Sequence, residues 1–248
     1  MTTIASQQNP RLKALRRLQT RRGRAQASAF AAEGEDLVAA ALSAGCEALD
    51  GFRLAGSGLG GAGFADVEQR PLAAVSTLGS SSRVIGVYAQ RWVAPHGSLC
   101  VYLHGVGDPG NVGTVLRSAE AFGVSCVALG PGCADPHSPK AVRASMGAIF
   151  RVALARVADL AELPGELLAL DSQGEEPLQV AAEERVLRQH GPITLLVGAE
   201  RYGLPPELLA RCDRRVRIPI ASESLNAAMA ATVAMYEMTR HSSRVPAS

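Results

Sequence analysis

The sequence predicts an α/β protein: a mostly parallel C-terminal sheet with a smaller α/β domain before it. From Leu99 onward, short apolar runs alternate with segments of helical periodicity, the pattern of strands joined by crossover helices. Ahead of that point the character changes to a basic helical stretch, a glycine-rich loop and few apolar runs. The 248 residues are 47% hydrophobic, enough apolar side chain for a substantial core. The expected division is 1–94 and 95–248, with Trp92–Ser98 (WVAPHGS) as the linker.

Residues 11–24 read as a helix, with Leu12, Leu15 and Leu18 on one side. Residues 1–32 carry seven basic side chains, Arg11, Lys13, Arg16, Arg17, Arg21, Arg22 and Arg24, and no acidic one, although the whole chain has a net charge of only +2. A charge run is ordinarily a solvated face, but a stretch without carboxylates has nothing nearby to neutralise it and suits phosphates. Leu37, Val38, Ala41 and Leu42 mark a second helix that stops at Gly45. Residues 56–63 (GSGLGGAG) contain five glycines and read as a loop. Val84–Ala89 reads as the strand closing this domain.

Beyond the linker, the expected strands are Leu99–His104, Ser125–Leu129, Phe150–Leu154, Leu167–Asp171, Ile193–Gly198 and Val216–Pro219, and the last helix is Ser224–Arg240. The five cysteines are scattered with no C-x-x-C pair, which fits a reducing compartment and gives no zinc spacing. The first residues lack the apolar core of a signal peptide, and no apolar run approaches the roughly 20 residues of a membrane span. A soluble cytoplasmic protein without a metal is the expectation.

Three stretches carry candidate chemistry. In the first, Leu99–His104 is followed by Asp-Pro-Gly turn chemistry and a helix marked by Val112, Val115, Leu116, Ala119 and Phe122, with Gly123 placed to end it. Asn111 suits its N-cap, Arg117 lies within two turns, and a helix N-terminus offers free N–H groups to an anion. Gly105, Gly107 and Gly110 also match the dinucleotide fingerprint G-x-G-x-x-G. The context does not: the following strand ends at Gly130-Pro131 instead of an acidic residue for the ribose. In the second stretch, Leu195–Leu204 (LLVGAERYGL), a buried strand exits at Gly198 and Glu200 stands just past its carboxyl end, where ligands of open α/β sheets bind. A glutamate simply facing water is the other reading of that position. In the third, Ile218–Ala228 (IPIASESLNAA), Ser222 or Ser224 would cap the terminal helix with Glu223 near its positive end. Ser224 and Asn226 add short polar groups there.

Taken together, NVGTVLRSAEAFGV, LLVGAERYGL and IPIASESLNAAMA resemble, in order and spacing, the SpoU (TrmH) family of RNA 2′-O-ribose methyltransferases of the SPOUT superfamily. VRASMGAIFRV resembles the family's intervening segment, and NPRLKALRRLQTRRGRAQASAFAAEGEDLV resembles the ribosomal-protein-like substrate-binding domain often attached to these enzymes. Arg201-Tyr202 departs from the small or acidic residues common after the glutamate of the second motif.

The resemblance implies S-adenosylmethionine held in a trefoil knot, which periodicity could not suggest because knots are otherwise avoided. It implies a homodimer in which the partner's first motif completes each site, and an RNA substrate, ribosomal ahead of transfer. By position it makes Arg117, Asn111, Glu200, Ser224 and Asn226 the catalytic set and Val197, Gly198, Gly203, Ile218, Leu225, Asn226 and Ala227 the cofactor-binding set. The seven N-terminal basic residues become the RNA-binding set. Arg117 would act as base on the ribose hydroxyl or, its guanidinium being a poor base in water, clamp a phosphate while another oxygen takes the proton. A catalytically silent RNA-binding protein on the same fold is the alternative, although such a protein would be expected to lose Arg117 or Asn226. Val233, Met235, Tyr236 and Met238 leave the last helix apolar on more than one side, which suits a dimer.

Overall fold

A computed structural model describes residues 3–78, 82–188, 191–221 and 224–240. They pack as two compact units. The first comprises the described residues of Met1–Gln90 together with Asp135–Arg151, and the second those of Arg91–Ala134 and Val152–Ser248. A single cut near residue 94 does not reproduce this division, because 135–151 packs with the first unit.

In the first unit, helices α1 (Pro10–Arg17) and α2 (Arg21–Ala27) precede β1 (Ala29–Glu33), α3 (Glu35–Ser43), β2 (Asp50–Leu54), β3 (Ala65–Val67), α4 (Gln69–Ala73) and β4 (Val84–Ala89). The sheet order is β1-β4-β2-β3, with β4 antiparallel to both neighbours and β3 parallel to β2. The single helix expected over 11–24 is in fact two. Thr20 Oγ1 accepts from the Gly23 amide at 3.0 Å, and this cap starts a new helix where the first would otherwise continue. Leu12, Leu15 and Leu18 are buried against Ile4, Phe52, Leu72 and Ile85.

The second unit begins with β5 (Leu99–Leu103), α5 (Pro109–Ala121) and β6 (Cys126–Leu129). The excursion with α6 (Pro139–Ala144) follows, and the chain returns as β7 (Ala153–Arg156), β8 (Glu166–Leu170), β9 (Glu176–Pro177), α7 (Leu178–Arg188), β10 (Ile193–Val197), α8 (Pro206–Leu209), β11 (Arg214–Arg217) and α9 (Ala227–Thr239). Seven strands lie in the order β7-β6-β5-β10-β8-β11-β9, every pair parallel. All five residues of β5 and all five of β10 are buried, as central strands covered on both faces require. Each large side chain removed from water there contributes roughly 1.5–3 kcal/mol.

Two expected strands are shifted. Phe150 ends a 3₁₀ turn instead of starting β7, and its ring lies 5.8 Å from Phe30 and 4.9 Å from Tyr88 in the first unit's core. Strand β11 starts two residues early, at Arg214. Arg214 is matched by Glu176 and by Glu184 at 3.3 Å, and Arg215 by Asp171 at 2.5 Å, so two arginines are accommodated near the sheet edge. No described helix is long and apolar enough to cross a membrane.

Candidate active site in the parallel-sheet unit

The first motif is a strand, a tight loop and a helix, but its cap is not Asn111. Asp108 Oδ1 accepts from the Asn111 amide at 3.0 Å, and Pro109 takes the first helical position, where its missing N–H costs nothing. Asn111 is therefore the third helical residue, with its side chain left for other work. Val112, Val115, Leu116 and Ala119 are fully buried and fix the rotation of α5.

The second motif leaves β10 through a closed loop. The Ala199 amide donates to Gly203 O at 3.1 Å and the Gly203 amide donates to Ala199 O at 2.9 Å, so 200–202 form a pinched tip. Two glycines make the pinch possible. Gly203 holds φ at +63°, which disfavours any side chain. A Cβ on Gly198 would lie 2.1 Å from the Gly203 carbonyl carbon, so the chain crosses itself there without room for a methyl group. Gly198 is thus required by the loop's own backbone.

In the third motif the helix cap is Asn226, and α9 begins at Ala227 instead of Ser224. Asn226 Oδ1 accepts from the Ala228 and Met229 amides at 3.0 and 3.3 Å. Ser222 and Glu223, the other cap and dipole candidates, lie outside the described residues. The remaining amide of Asn226 donates to Asn111 Oδ1 at 3.2 Å, and Asn111 Nδ2 donates to Glu200 Oε1 at 2.5 Å. The three motifs meet in one hydrogen-bonded chain, Asn226 to Asn111 to Glu200. Its direction is fixed: a carboxylate can only accept, so Asn111 must turn its nitrogen to Glu200 and its oxygen to Asn226.

Beside this relay lies a cleft of about 1140 Å³. Of the cofactor set, Val197, Gly198, Gly203, Ile218, Leu225 and Ala227 line it, and so do Glu200 and Ser224 from the catalytic set. Asn226 and Asn111 are not among the lining residues and join the cleft through Glu200. Leu170, Asp171, Ser172 and Gln173 at the exit of β8, with Arg215 and Arg217 of β11, also line it and were missed in the sequence. The rule that flagged Glu200, ligands beyond strand carboxyl ends, applies equally to the LALDSQG exit of β8. Among the described residues no cluster of three His, Cys, Asp or Glu side chains could hold a metal ion.

Arg117 is apart from this constellation. It is exposed and lies six residues beyond Asn111, roughly 120° round the helix axis. Of the last helix's apolar residues, Met235 and Met238 are buried within the chain. Met229, Val233 and Tyr236 form an exposed stripe at helical spacing, 62%, 40% and 53% accessible. Helices α5 and α9 are tied by the Ser118 and Thr232 hydroxyls at 2.7 Å and by the Phe122 and Tyr236 rings at 5.9 Å.

The basic residues of the first unit do not act as one set. Arg24 is 3% exposed, donates to Asp135 Oδ2 from Nε at 2.8 Å and to the carbonyls of Leu18 and Gln19, and so cannot reach a phosphate. Carboxylates distant in sequence do reach this stretch, since Asp50 pairs with Arg11. Arg16 is half-buried and donates to Gln7 O at 3.3 Å. Lys13, Arg17, Arg21 and Arg22 are the exposed members without a carboxylate partner among the described residues.

Comparison with known proteins identifies the family. The SpoU rRNA Methylase family profile matches residues 98–236, and an MRM3-like substrate binding domain matches residues 9–52. An uncharacterized tRNA/rRNA methyltransferase of Mycobacterium tuberculosis is 41% identical over 148 residues, 56% of this chain and 50% of that protein. The match thus spans half the length of that mycobacterial relative. The 23S rRNA (guanosine(2553)-2′-O)-methyltransferase RlmP of Bacillus subtilis is 29% identical over 96% of this chain and 99% of its own. The AdoMet-bound rRNA methyltransferase structure from Sinorhizobium meliloti superposes with a TM-score of 0.82 at 29% identity, covering 97% of this chain and 98% of that one. With the three motifs joined at one cleft and the family profile covering more than half its length, the chain belongs to the SpoU rRNA methylase family.

Proposed function

We propose that this protein methylates a ribose 2′-hydroxyl in ribosomal RNA, with S-adenosylmethionine bound in the cleft beside Glu200. The observation that carries the reading is the Asn226–Asn111–Glu200 relay, which gathers all three motifs at the rim of that cleft. The lining suits the cofactor: Val197, Leu204, Ile218 and Leu225 give apolar walls for an adenine, and the pinched loop brings bare backbone to the surface. The RlmP and Sinorhizobium relatives, named for 2′-O-methylation and for bound AdoMet, support the same chemistry and substrate class.

The bound cofactor supplies an electrophilic methyl group. The chain's own task is to hold a ribose hydroxyl in line with it and to accept the proton it loses. The relay fixes the orientation of Asn111 and holds Glu200 at the cleft. The outward direction of Arg117 supports a homodimer in which α5 of one copy serves the site of the other, and the Met229, Val233, Tyr236 stripe supports an interface there. The role of Arg117, as desolvated base or phosphate clamp, belongs to that assembled site. The first unit, to which 135–151 belongs, would serve as the RNA-binding domain and the second as the methyltransferase domain, in the cytoplasm. Strand β10, inserted between β5 and β8, supports a chain crossing of the trefoil kind.

The test is transfer of tritiated methyl from S-adenosylmethionine to 23S rRNA transcribed in vitro, with the product mapped for 2′-O-methylation. Cofactor and RNA binding without transfer would instead establish the silent RNA-binding protein.

A further inference from the structure

We propose that Tyr202, with Arg201 beside it, is a stacking platform for an RNA base next to the target ribose, and so sets which nucleotide is presented to the cleft. The inference rests on the methyltransferase reading above and adds the residues that read the substrate. Tyr202 is 86% exposed, more than any other large apolar or aromatic side chain among the described residues. A scattered exposed apolar residue needs no explanation. This one lines the catalytic cleft, on the tip that also carries Glu200.

The tip is rigid. Reciprocal hydrogen bonds between Ala199 and Gly203 close it, Gly198 leaves no space against the Gly203 backbone, and Asn111 holds Glu200 from the side. A ring carried on a backbone so tied has only its own side-chain rotations left to lose when it binds, and a recognition surface gains from that. Arg201 is exposed on the same tip and, among the described residues, neither it nor Tyr202 has a hydrogen-bond or ionic partner. An arginine and a tyrosine side by side at a cleft for a ribose match the chemistry of unpaired bases, which stack on aromatic rings and guanidinium planes while their phosphates take positive charge.

The experiment compares wild type with Tyr202→Ala, Tyr202→Phe and Arg201→Ala. One readout is quenching of 2-aminopurine in short single-stranded RNA, which needs no methyl transfer. The others are KM for in vitro transcribed 23S rRNA, S-adenosylmethionine affinity by calorimetry, and mass by light scattering. Loss of one stacked base corresponds to roughly tenfold weaker RNA binding. Tyr202→Ala should raise KM for RNA by about that factor and abolish quenching, with cofactor affinity and mass unchanged, while Tyr202→Phe, which keeps the ring, stays near wild type. Arg201→Ala should weaken RNA binding less. An active wild type with unaltered KM and quenching in Tyr202→Ala would overturn the platform alone. A drop to monomer in Tyr202→Ala would make this residue a protein contact and overturn it too. A wild type that neither binds nor methylates RNA removes the parent reading and the platform together.

Discussion

One side chain, Asn226, both starts the last helix and orients Asn111. Its oxygen caps α9 and its nitrogen donates to Asn111 at 3.2 Å. The two roles separate by substitution. Asn226→Ala should lose the cap, about 1 kcal/mol of stability, together with activity. Asn226→Asp keeps an oxygen for the cap but has no hydrogen for Asn111. Thermal unfolding should then show Asn226→Asp near wild type, while methyl transfer falls at least tenfold. If Asn226→Asp remains fully active, the relay has no part in catalysis.

Arg24 offers a different kind of test, because it is buried with Asp135. Removing one member of a buried pair leaves the other charged and alone, and Arg24→Ala should cost about 3–5 kcal/mol. Urea denaturation reads this directly. A loss below ~1 kcal/mol would mean that Asp135 finds water easily and that the pair is not structural.

For the exposed basic residues the expectation concerns salt. Arg17→Glu, Arg21→Glu and Arg22→Glu combined should weaken RNA binding and flatten its salt dependence, by roughly 0.7–0.9 in log–log slope for each phosphate contact removed. S-adenosylmethionine binding should stay as it was. Filter binding across a salt series decides the matter, and an unaltered slope would show that this face does not touch RNA.

The two glycines of the pinched loop should differ in severity. Gly198→Ala forces a methyl group to within 2.1 Å of backbone, so the loop must open, and calorimetry should show cofactor affinity lost or reduced by more than tenfold. Gly203→Ala meets no atom within 4 Å and bears only the strain of φ +63°, about 1–2 kcal/mol. Equal affinity in the two variants would contradict this account of the crossing.

Helix α9 carries the expectation for assembly. Light scattering should give about twice the chain mass of 25.8 kDa for the wild type, and the double variant Val233→Glu, Tyr236→Glu should fall toward one chain mass. Unchanged association in that variant would move the interface elsewhere.

The alternation of strands and helices after Leu99 was legible because buried parallel strands are continuous apolar runs, and β5 and β10 begin where those runs begin. The place of Glu200 at the cleft followed from its position beyond a strand exit, although that position alone left a glutamate facing water as an equal reading. The helix caps were not: Asn111 and Asp108, like Ser224 and Asn226, are all good capping types, and which one caps depends on where the chain turns in three dimensions. The burial of Arg24 escaped the sequence because its partner Asp135 is 111 residues away. Charge counted along the chain says nothing about carboxylates that fold back onto it.

The placement of Asp135–Arg151 in the first unit has a consequence for synthesis and inheritance. The ribosome must deliver residue 151 before that unit can finish folding, and by then β5 and β6 have already emerged without β10, the neighbour that covers one edge of β5. Moving the first unit between genes by a single cut would also separate paired residues. A transplanted N-terminal half would leave behind Asp135, and with it the counter-charge of Arg24. Recombination that keeps this ion pair has to carry two separate pieces of sequence, or the whole chain.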